Sequence, residues 1–332
     1  MSSGKLVTVY GATGTQGGSV VRSLLQNKSN AFSVRAITRN PDSGKARELA
    51  SLGVDVVKAD GHKREQVLEA FKGSWAVFVN TDSSDLALYE PSHKTESDLG
   101  KSIVDAAFEA GVDVFVYSGL ASASLLSQGA TPSRLFDEKH TIGTYAQAKG
   151  FKTAVVIAAG WYMENHTSRE LAKLLGGFPY EDDADGYRTL RTPRWGGDGK
   201  MPLIAVEEDW GDLVHGVLLD PGSYDKQFIQ GISDLVTPED LTKLFQSVTG
   251  TRSRFVPVED WKSFEMRGNP ALGCICDMFG FLQLCQGRYF GMSNDLSEAR
   301  KLKKSASAAK GLSKDKDELT DLDRFLNHHF VS

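Results

Sequence analysis

Three glycines near the start of the chain have the spacing G-x-x-G-x-x-G, which could hold the phosphates of a dinucleotide. Gly11, Gly14 and Gly17 follow the apolar stretch 7–10, a pattern typical of a buried strand that breaks into a turn and opens a helix. In such a turn Gly11 permits the tight bend, Gly14 lets the backbone approach a pyrophosphate, and Gly17 lets the helix pack near the strand. The N–H groups at the helix N-terminus then face the phosphates. Ordinary glycine turns share this spacing, so the surrounding sequence must decide.

A basic residue at the end of the second predicted strand, 33–39, favours NADP(H) over NAD(H). Sites that select NAD carry Asp or Glu at this position, whereas an Arg accommodates the 2′-phosphate of NADP. Here the strand ends in Thr38, Arg39 and Asn40, and the planar guanidinium of Arg39 can form paired hydrogen bonds with a phosphate. We therefore predict NADP(H) as the cofactor. The alternative for Arg39 is a solvated charge at a strand end.

Tyr145 and Lys149 form a Tyr-x-x-x-Lys pair, the proton-transfer motif of short-chain dehydrogenases. Residues four apart share a helix face, and a lysine beside a phenol favours the ionised phenol. However, Gly150 predicts the end of this helix, and the next strand begins a few residues later. The cofactor lies near the N-terminal ends of the helices in such folds. We therefore expect the pair to point away from the site.

Lys139, in the early turns of the same helix, is better placed to reach a cofactor. The helix is predicted to begin near 132–133, and the ten residues between Lys139 and Lys149 separate them by roughly 15 Å. Four residues before Lys139, where a phenol should stand, the sequence has Leu135. The usual proton donor is therefore missing. Tyr162 is the nearest phenol by sequence and a candidate donor, although an aromatic residue there is more often a pocket wall.

A parallel sheet is needed to bring these residues together. Runs rich in β-branched residues alternate with helical patterns along the first half of the chain, and the strand-like runs are 7–10, 33–39, 54–60, 75–81, 114–118 and 154–158. Such alternation predicts an α/β fold with a doubly wound parallel sheet, whose ligand site lies outside the carboxyl ends of the strands. Asp60, Asn80 and Thr81 stand at those ends, where they can border the cofactor or serve as plain turn formers.

Composition excludes several other classes of function. The net charge of −5 provides no broad cationic field, so direct nucleic-acid binding is not expected. Cys274, Cys276 and Cys285 lie in one apolar stretch without zinc-like spacing, which indicates buried thiols in a reducing compartment, with a redox-sensing pair as the alternative. The N-terminus leads directly into the first strand, and no apolar run approaches the ~20 residues of a membrane span. We expect a cytoplasmic location, with the nucleus as the alternative.

Several of these segments together resemble the NmrA-like family of atypical short-chain dehydrogenases. The resemblance covers about residues 5 to 240 and rests on 11–18, 38–41, 116–120, 136–139 and 160–165. It implies NADP(H) binding in a Rossmann domain beneath a smaller, discontinuous α+β C-terminal domain. Members of the family include nitrogen-metabolite regulators and NADPH sensors without known turnover, and other members resemble true reductases.

The resemblance also implies roles for individual residues. The family's helix lysine corresponds to Lys139, and its often replaced tyrosine corresponds to Leu135. Arg39 corresponds to the residue that contacts the 2′-phosphate, and 162–165 correspond to the wall of the nicotinamide pocket. Tyr145 corresponds to a structural aromatic residue on the back of the helix. The predicted cofactor-binding set is Gly11, Thr13, Gly14, Thr15, Gln16, Gly17, Arg39, Asp60, Asn80, Thr81, Ser118, Lys139, Tyr162 and Asn165, with Lys139 and Tyr162 as the catalytic candidates.

The rest of the chain is predicted to complete the fold and cover the cleft. We expect 1–159 to form the cofactor domain with 207–235 returning to it, and 160–206 with 236–332 to form the smaller domain. The segment 271–286 is apolar around most of its circumference and predicts a helix that is buried or roofs an apolar pocket. The segment 305–311 is interpreted as a flexible loop, and Thr320 as the cap of a final helix. His328 and His329 have no partner with metal-ligand spacing, so no metal is predicted.

Two hypotheses for function follow. The first is an NADPH-dependent reductase that acts on a small apolar carbonyl, imine or activated alkene. The second is an NADP(H)-sensing regulator without turnover, whose cofactor-bound form changes its affinity for a protein partner. The missing tyrosine fits the second hypothesis, whereas the apolar roof fits the first.

Overall fold

A computed structural model describes residues 4–89, 94–264, 270–313 and 316–331. Its strands are β1 Lys5–Tyr10, β2 Phe32–Thr38, β3 Asp55–Lys58, β4 Ala76–Val79, β5 Val114–Ser118, β6 Thr153–Ala159, β7 Trp161–Tyr162, β8 Arg188–Leu190, β9 Met201–Ile204, β10 Phe228–Gly231, β11 Asp234–Val236 and β12 Ser253–Phe255. Its α-helices are α1 Thr15–Leu25, α2 Gly44–Ser51, α3 Arg64–Phe71, α4 Glu96–Glu109, α5 Ala123–Leu126, α6 Arg134–Ala148, α7 Arg169–Ala172, α8 Gly211–Leu219, α9 Pro238–Thr249, α10 Pro270–Leu284, α11 Ser297–Lys310 and α12 Leu322–Phe330.

Seven of the strands form one parallel sheet in the order β3-β2-β1-β4-β5-β6-β10. Strands β2 and β3 lie on one side of β1, and β4 and the later strands lie on the other side. The carboxyl ends of β1 and β4 therefore flank the topological switch point of a Rossmann fold. The strands are apolar because helices cover both faces: α1 and α8 pack on one face, and α3, α4 and α6 pack on the other. The predicted doubly wound α/β fold is confirmed.

The second half of the chain adds smaller elements above the carboxyl edge. Strands β7, β9 and β11 form a three-stranded sheet, and β8 pairs with β12. A separate apolar core joins α6, α9, α10 and α12. Strand β10, within the segment predicted to return to the larger domain, pairs with β6. The division into two domains stays a prediction.

Two local predictions near the C-terminus are wrong. The segment 305–311 is not a flexible loop, because residues up to Lys310 belong to α11, whose buried face packs on α8. A Cβ atom on Gly216 would lie 2.6 Å from the Leu302 carbonyl oxygen, so the two helices touch at their backbones, where small side chains are needed. The cap of α12 is Asp321 and not Thr320, since the Asp321 carboxylate accepts from the N–H of Arg324.

Of the helices in the described part of the chain, none combines the length and apolar character needed to cross a bilayer.

Candidate functional site

A cleft of about 690 Å³ runs along the carboxyl edge of the large sheet, from the end of β3 to the end of β6. Residues of α6, α10 and the segment after α10 close its far end. Of the predicted site residues, the cleft is lined by Gly11, Thr13, Gly14, Thr15, Gln16, Arg39, Asp60, Asn80, Thr81, Ser118, Lys139, Tyr162 and Asn165. Gly17 is the exception, and it does not line the cleft.

The glycine turn has the geometry that a dinucleotide phosphate needs. Gly11 has a φ of +81°, and a Cβ atom on Gly17 would lie 2.2 Å from the Gly11 carbonyl oxygen, so Gly17 serves the close packing of α1 on the turn. The N-cap of α1 is Gly14, which offers no side-chain cap, and the first turn of the helix contains no acidic residue. The N–H groups at this helix end therefore face the cleft with their positive dipole unopposed, which fits an anionic group.

Gln16 adds a second polar group at this helix end. Its Nε2 donates to the hydroxyl of Tyr162 at 2.6 Å, and its Oε1 is buried without a partner among the described residues. A 180° rotation of the amide exchanges these two atoms. Gln16 can therefore accept from Tyr162 and present its N–H₂ group to an anion. Burial raises the pKa of Tyr162 to about 12, and the Gln16 hydrogen bond opposes that rise, so Tyr162 keeps its proton at neutral pH.

Arg39 occupies the predicted position at the end of β2, but it is already paired. Its Nη1 lies 2.8 Å from Oδ2 of Asp85, in the loop after β4, and the Arg39 side chain is 62% exposed. Nε2 of His62 lies 3.7 Å from the same carboxylate oxygen. The sequence analysis missed Asp85 because an isolated acid in a loop carries no signal of which charge it meets.

Lys139 lies on the floor of the cleft within a buried hydrogen-bond network. Its Nζ donates to the carbonyl oxygen of Thr81 at 2.7 Å and to its Oγ1 at 3.1 Å, and pairs with Oε1 of Glu96 at 2.9 Å. Burial opposes ionisation of Glu96, but the charge of Lys139 and the Thr81 hydroxyl outweigh it, so the pKa of Glu96 is lowered. Glu96 is only 2% exposed and lies in the first turn of α4, a position where acids usually serve the helix N-terminus. The sequence therefore gave no signal of its role as a counterion.

The Tyr145–Lys149 pair lies outside the cleft, as the sequence predicts. The hydroxyl of Tyr145 donates to Asp105 at 2.7 Å, and Nζ of Lys149 lies 2.6 Å from the same carboxylate on α4. Helix α6 begins at Arg134 with Ser133 as its N-cap, which places Leu135 beside Lys139 on the cleft. The phenol expected from the short-chain dehydrogenase motif is therefore replaced by an apolar wall.

The apolar end of the cleft contains residues that the sequence analysis did not assign to the site. Cys274, Ile275 and Met278 of α10 line it, which agrees with the predicted roof, and burial raises the pKa of Cys274 to about 11. Tyr289, in the segment after α10, is 6% exposed and also lines the cleft. The ring centroids of Tyr289 and Phe136 lie 5.3 Å apart, so Tyr289 packs edge-on against α6. The only sequence signal for Tyr289 was its closeness to the apolar helix.

Comparisons with known proteins agree with this architecture. A family model described as the NmrA-like family matches residues 3–324. The NmrA-like family domain-containing oxidoreductase ptmS of Penicillium ochrochloron is 45% identical over 305 residues, which cover 91% of each chain. Among solved structures, NmrA, a negative transcriptional regulator in complex with NAD, has a TM-score of 0.77 at 22% identity and covers 99% of this chain and 96% of its own.

A second structural neighbour is the NADPH-dependent quinone oxidoreductase QOR2 of Escherichia coli, complexed with NADPH. It has a TM-score of 0.67 at 21% identity over 98% of this chain and 99% of its own. At these identities both structures support the fold.

Proposed function

The chain belongs to the NmrA-like family, and from this premise we propose that it is an NADP(H)-dependent reductase of a small apolar carbonyl, imine or activated alkene. One observation carries the proposal: an uncapped helix N-terminus and an apolar pocket lie at successive positions along the same cleft. The helix N-terminus would hold the phosphates of a dinucleotide, and the apolar pocket would hold the hydride acceptor beside the nicotinamide end.

The residues of the cleft would hold the cofactor from one end to the other. The glycine turn and Gln16 hold the pyrophosphate, and Arg39 meets the 2′-phosphate of the adenosine half. Asp60 and Asn80, at the ends of β3 and β4, border the adenosine half and the central riboses. The nicotinamide half lies towards β5, β6 and α6, and the residues proposed to contact it are Thr81, Ser118, Lys139, Tyr162 and Asn165.

The nicotinamide, when bound, supplies the hydride. Lys139 contributes a fixed positive charge beneath the ribose, held in place by Glu96 and Thr81. The hydrogen bond to Thr81 Oγ1 is the longest of the Lys139 contacts and is the one that a ribose hydroxyl would replace. Leu135 excludes water and cannot donate a proton.

The proton for the reduced acceptor has two candidate sources in the cleft. Tyr162 is the predicted candidate, although its hydroxyl is engaged with Gln16. Tyr289 also lines the cleft, and burial raises its pKa, with Tyr162 and Cys274 raising it further. Phenols that keep their protons at neutral pH can donate only to a strongly basic product atom, such as an alkoxide.

Oxidation of NADPH tests the proposal. A panel of aldehydes, ketones, imines, enones and quinones is supplied, and the loss of NADPH absorbance is followed. We expect turnover with at least one apolar acceptor, and a large loss of kcat in Tyr289→Phe or Tyr162→Phe identifies the donor. Binding of NADPH without oxidation across the panel would refute the reductase.

A cofactor-sensing regulator is the second candidate, and the environment of Lys139 favours it. Its ammonium is paired with Glu96, and Leu135 replaces the usual acid. A protein of this kind needs cofactor binding without proton transfer, and it would act through a protein partner. Tight NADPH binding with no oxidation, together with a cofactor-dependent change in proteolytic sensitivity, would support this function.

A further inference from the structure

The loop that follows β4 carries two acids into the part of the cleft proposed to hold the adenosine half. Asp82 accepts from the N–H of Ser84 at 3.0 Å and from its hydroxyl at 2.6 Å. Asp85 uses Oδ1 to accept from the N–H of Ala87 at 3.1 Å, and the hydroxyl of Tyr89 donates to the Ser83 carbonyl oxygen at 3.0 Å. These contacts fold the loop on itself, so Asp85 is presented from an ordered turn.

The second oxygen of Asp85 lies against Arg39. Oδ2 is 2.8 Å from Nη1 of Arg39 and 3.7 Å from Nε2 of His62, and the Asp85 side chain is only 16% exposed. An arginine binds carboxylates and phosphates through the same N–H groups. The Asp85 carboxylate therefore takes one of the Arg39 N–H groups that a 2′-phosphate of NADP would bind, whereas NAD carries no phosphate there.

Other charges in the same region are also acidic. Tyr10, which lines the cleft between β2 and β4, has its pKa raised to about 12; burial is the largest cause, Arg39 opposes it, and Asp60, Asp85 and Asp82 raise it further. Arg39 and the three acids therefore all act on the Tyr10 hydroxyl, and all of them line the cleft. A phosphate that enters here meets one arginine and several carboxylates.

We infer that Asp85 is an internal competitor for the 2′-phosphate at Arg39 and sets the balance between NADP(H) and NAD(H). This inference rests on the proposed function, because it assumes that the cleft holds a dinucleotide with Arg39 at the adenosine end. When NADP(H) binds, the 2′-phosphate and the Asp85 carboxylate compete for the N–H groups of Arg39. The free energy gained when Arg39 binds the 2′-phosphate is then smaller than it would be for an arginine without a carboxylate partner.

Titration of the full chain with NADPH and with NADH tests this directly, with tryptophan fluorescence as the readout and no substrate required. In Asp85→Asn the amide cannot form an ion pair with Arg39, and the like charge beside the phosphate is gone. We expect Kd for NADPH to fall about tenfold, as expected for removal of one charge at contact distance in a partly exposed site. Kd for NADH should change less than twofold.

Asp82→Asn is the matched control, because it removes an equal charge from the same loop without removing a bond to Arg39. We expect a change of about twofold at most in the ratio of the two Kd values. In an Arg39→Ala background, Asp85→Asn should lose most of its effect on NADPH, because the competition requires the guanidinium.

The possible results separate the inference from the function it rests on. If the parent chain binds neither dinucleotide, the proposed function fails and the inference fails with it. If both dinucleotides bind and Asp85→Asn leaves the ratio of Kd values unchanged, the proposed function stands and the inference is wrong. An equal effect in Asp82→Asn would also overturn it, because general charge and not competition at Arg39 would then control the preference.

Discussion

Replacement of Lys139 by methionine should destabilise the chain strongly, whatever its effect on turnover. The ion pair with Glu96 joins atoms 2.9 Å apart, and the two side chains are 9% and 3% exposed. The substitution leaves the Glu96 carboxylate buried without its counterion and removes the donor to the Thr81 carbonyl oxygen. Breaking such a buried pair from one side costs about 3–5 kcal/mol, a large part of the 5–15 kcal/mol that stabilises a typical domain.

The double substitution Lys139→Met with Glu96→Gln separates the charge from the packing. A glutamine at 96 is neutral, so the double variant should be more stable than Lys139→Met alone, by about 2 kcal/mol or more. Urea unfolding followed by circular dichroism measures both free energies of unfolding. Turnover should then be compared between the parent and the double variant, because a loss of activity in the single variant alone could reflect unfolding.

The pH dependence gives an independent check. In the parent, Lys139 and the Thr81 hydroxyl lower the pKa of Glu96 despite its burial. Without Lys139 burial dominates and raises that pKa above its unfolded value of about 4.3, so the folded state binds the extra proton and Lys139→Met should lose stability as the pH rises above about 4.3. A single variant within about 1 kcal/mol of the parent, or a double variant no more stable than the single one, would refute this account of the pair.

Three further predictions concern other parts of the molecule. Tyr145→Phe removes two partly buried hydrogen bonds, one donated to Asp105 and one accepted from Lys149, so it should cost about 2 kcal/mol and leave NADPH binding unchanged. A selective loss of turnover would return Tyr145 and Lys149 to the site. Gly17→Ala places a Cβ atom 2.2 Å from the Gly11 carbonyl oxygen, so Tm measured by thermal unfolding and the affinity for NADPH should both fall. An unchanged Tm would contradict the close packing of α1 on the glycine turn. Burial lowers the pKa of His166 to about 4, so the unfolded state binds a proton that the folded state does not. The free energy of unfolding should therefore rise between about pH 4 and 6.5, by about 3 kcal/mol at most. His166→Leu should remove this pH dependence.

The order of elements in the first half of the chain could be predicted from the sequence. Alternation of β-branched runs with helical patterns specified six of the strands of the large sheet, and the seventh, β10, lies within the segment 207–235 that was predicted to return to the larger domain. The position of Lys139 on its helix followed from local rules as well. Gly150 follows the C-terminal end of α6, and this end lies away from the cleft. The choice of Lys139 over Lys149 therefore needed only the rise per residue of an α-helix.

The errors near the C-terminus have a common physical cause. Alanine and serine are abundant in 305–311, and small polar residues are typical of flexible segments. In the structure Ala306 and Ser307 of this segment lie on the buried face of α11, which packs on α8, and Lys303 pairs with Asp209 and Asp212 at 2.8 Å. Helix propensity and loop composition cannot distinguish a flexible loop from a packed helix at 305–311, because the surface of α8 on which α11 packs lies about ninety residues away in the sequence.

The sequence by itself determined the glycine turn after β1, the strand end that carries Arg39 and the helix turn that carries Lys139, since each depends on neighbours within a few residues. Only the tertiary structure decided which charges those residues meet. Asp85 reaches Arg39 from the loop after β4, and Glu96 reaches Lys139 from α4. These pairings are fixed by the order of strands in the sheet, because parallel strands bring together loops that are distant along the chain.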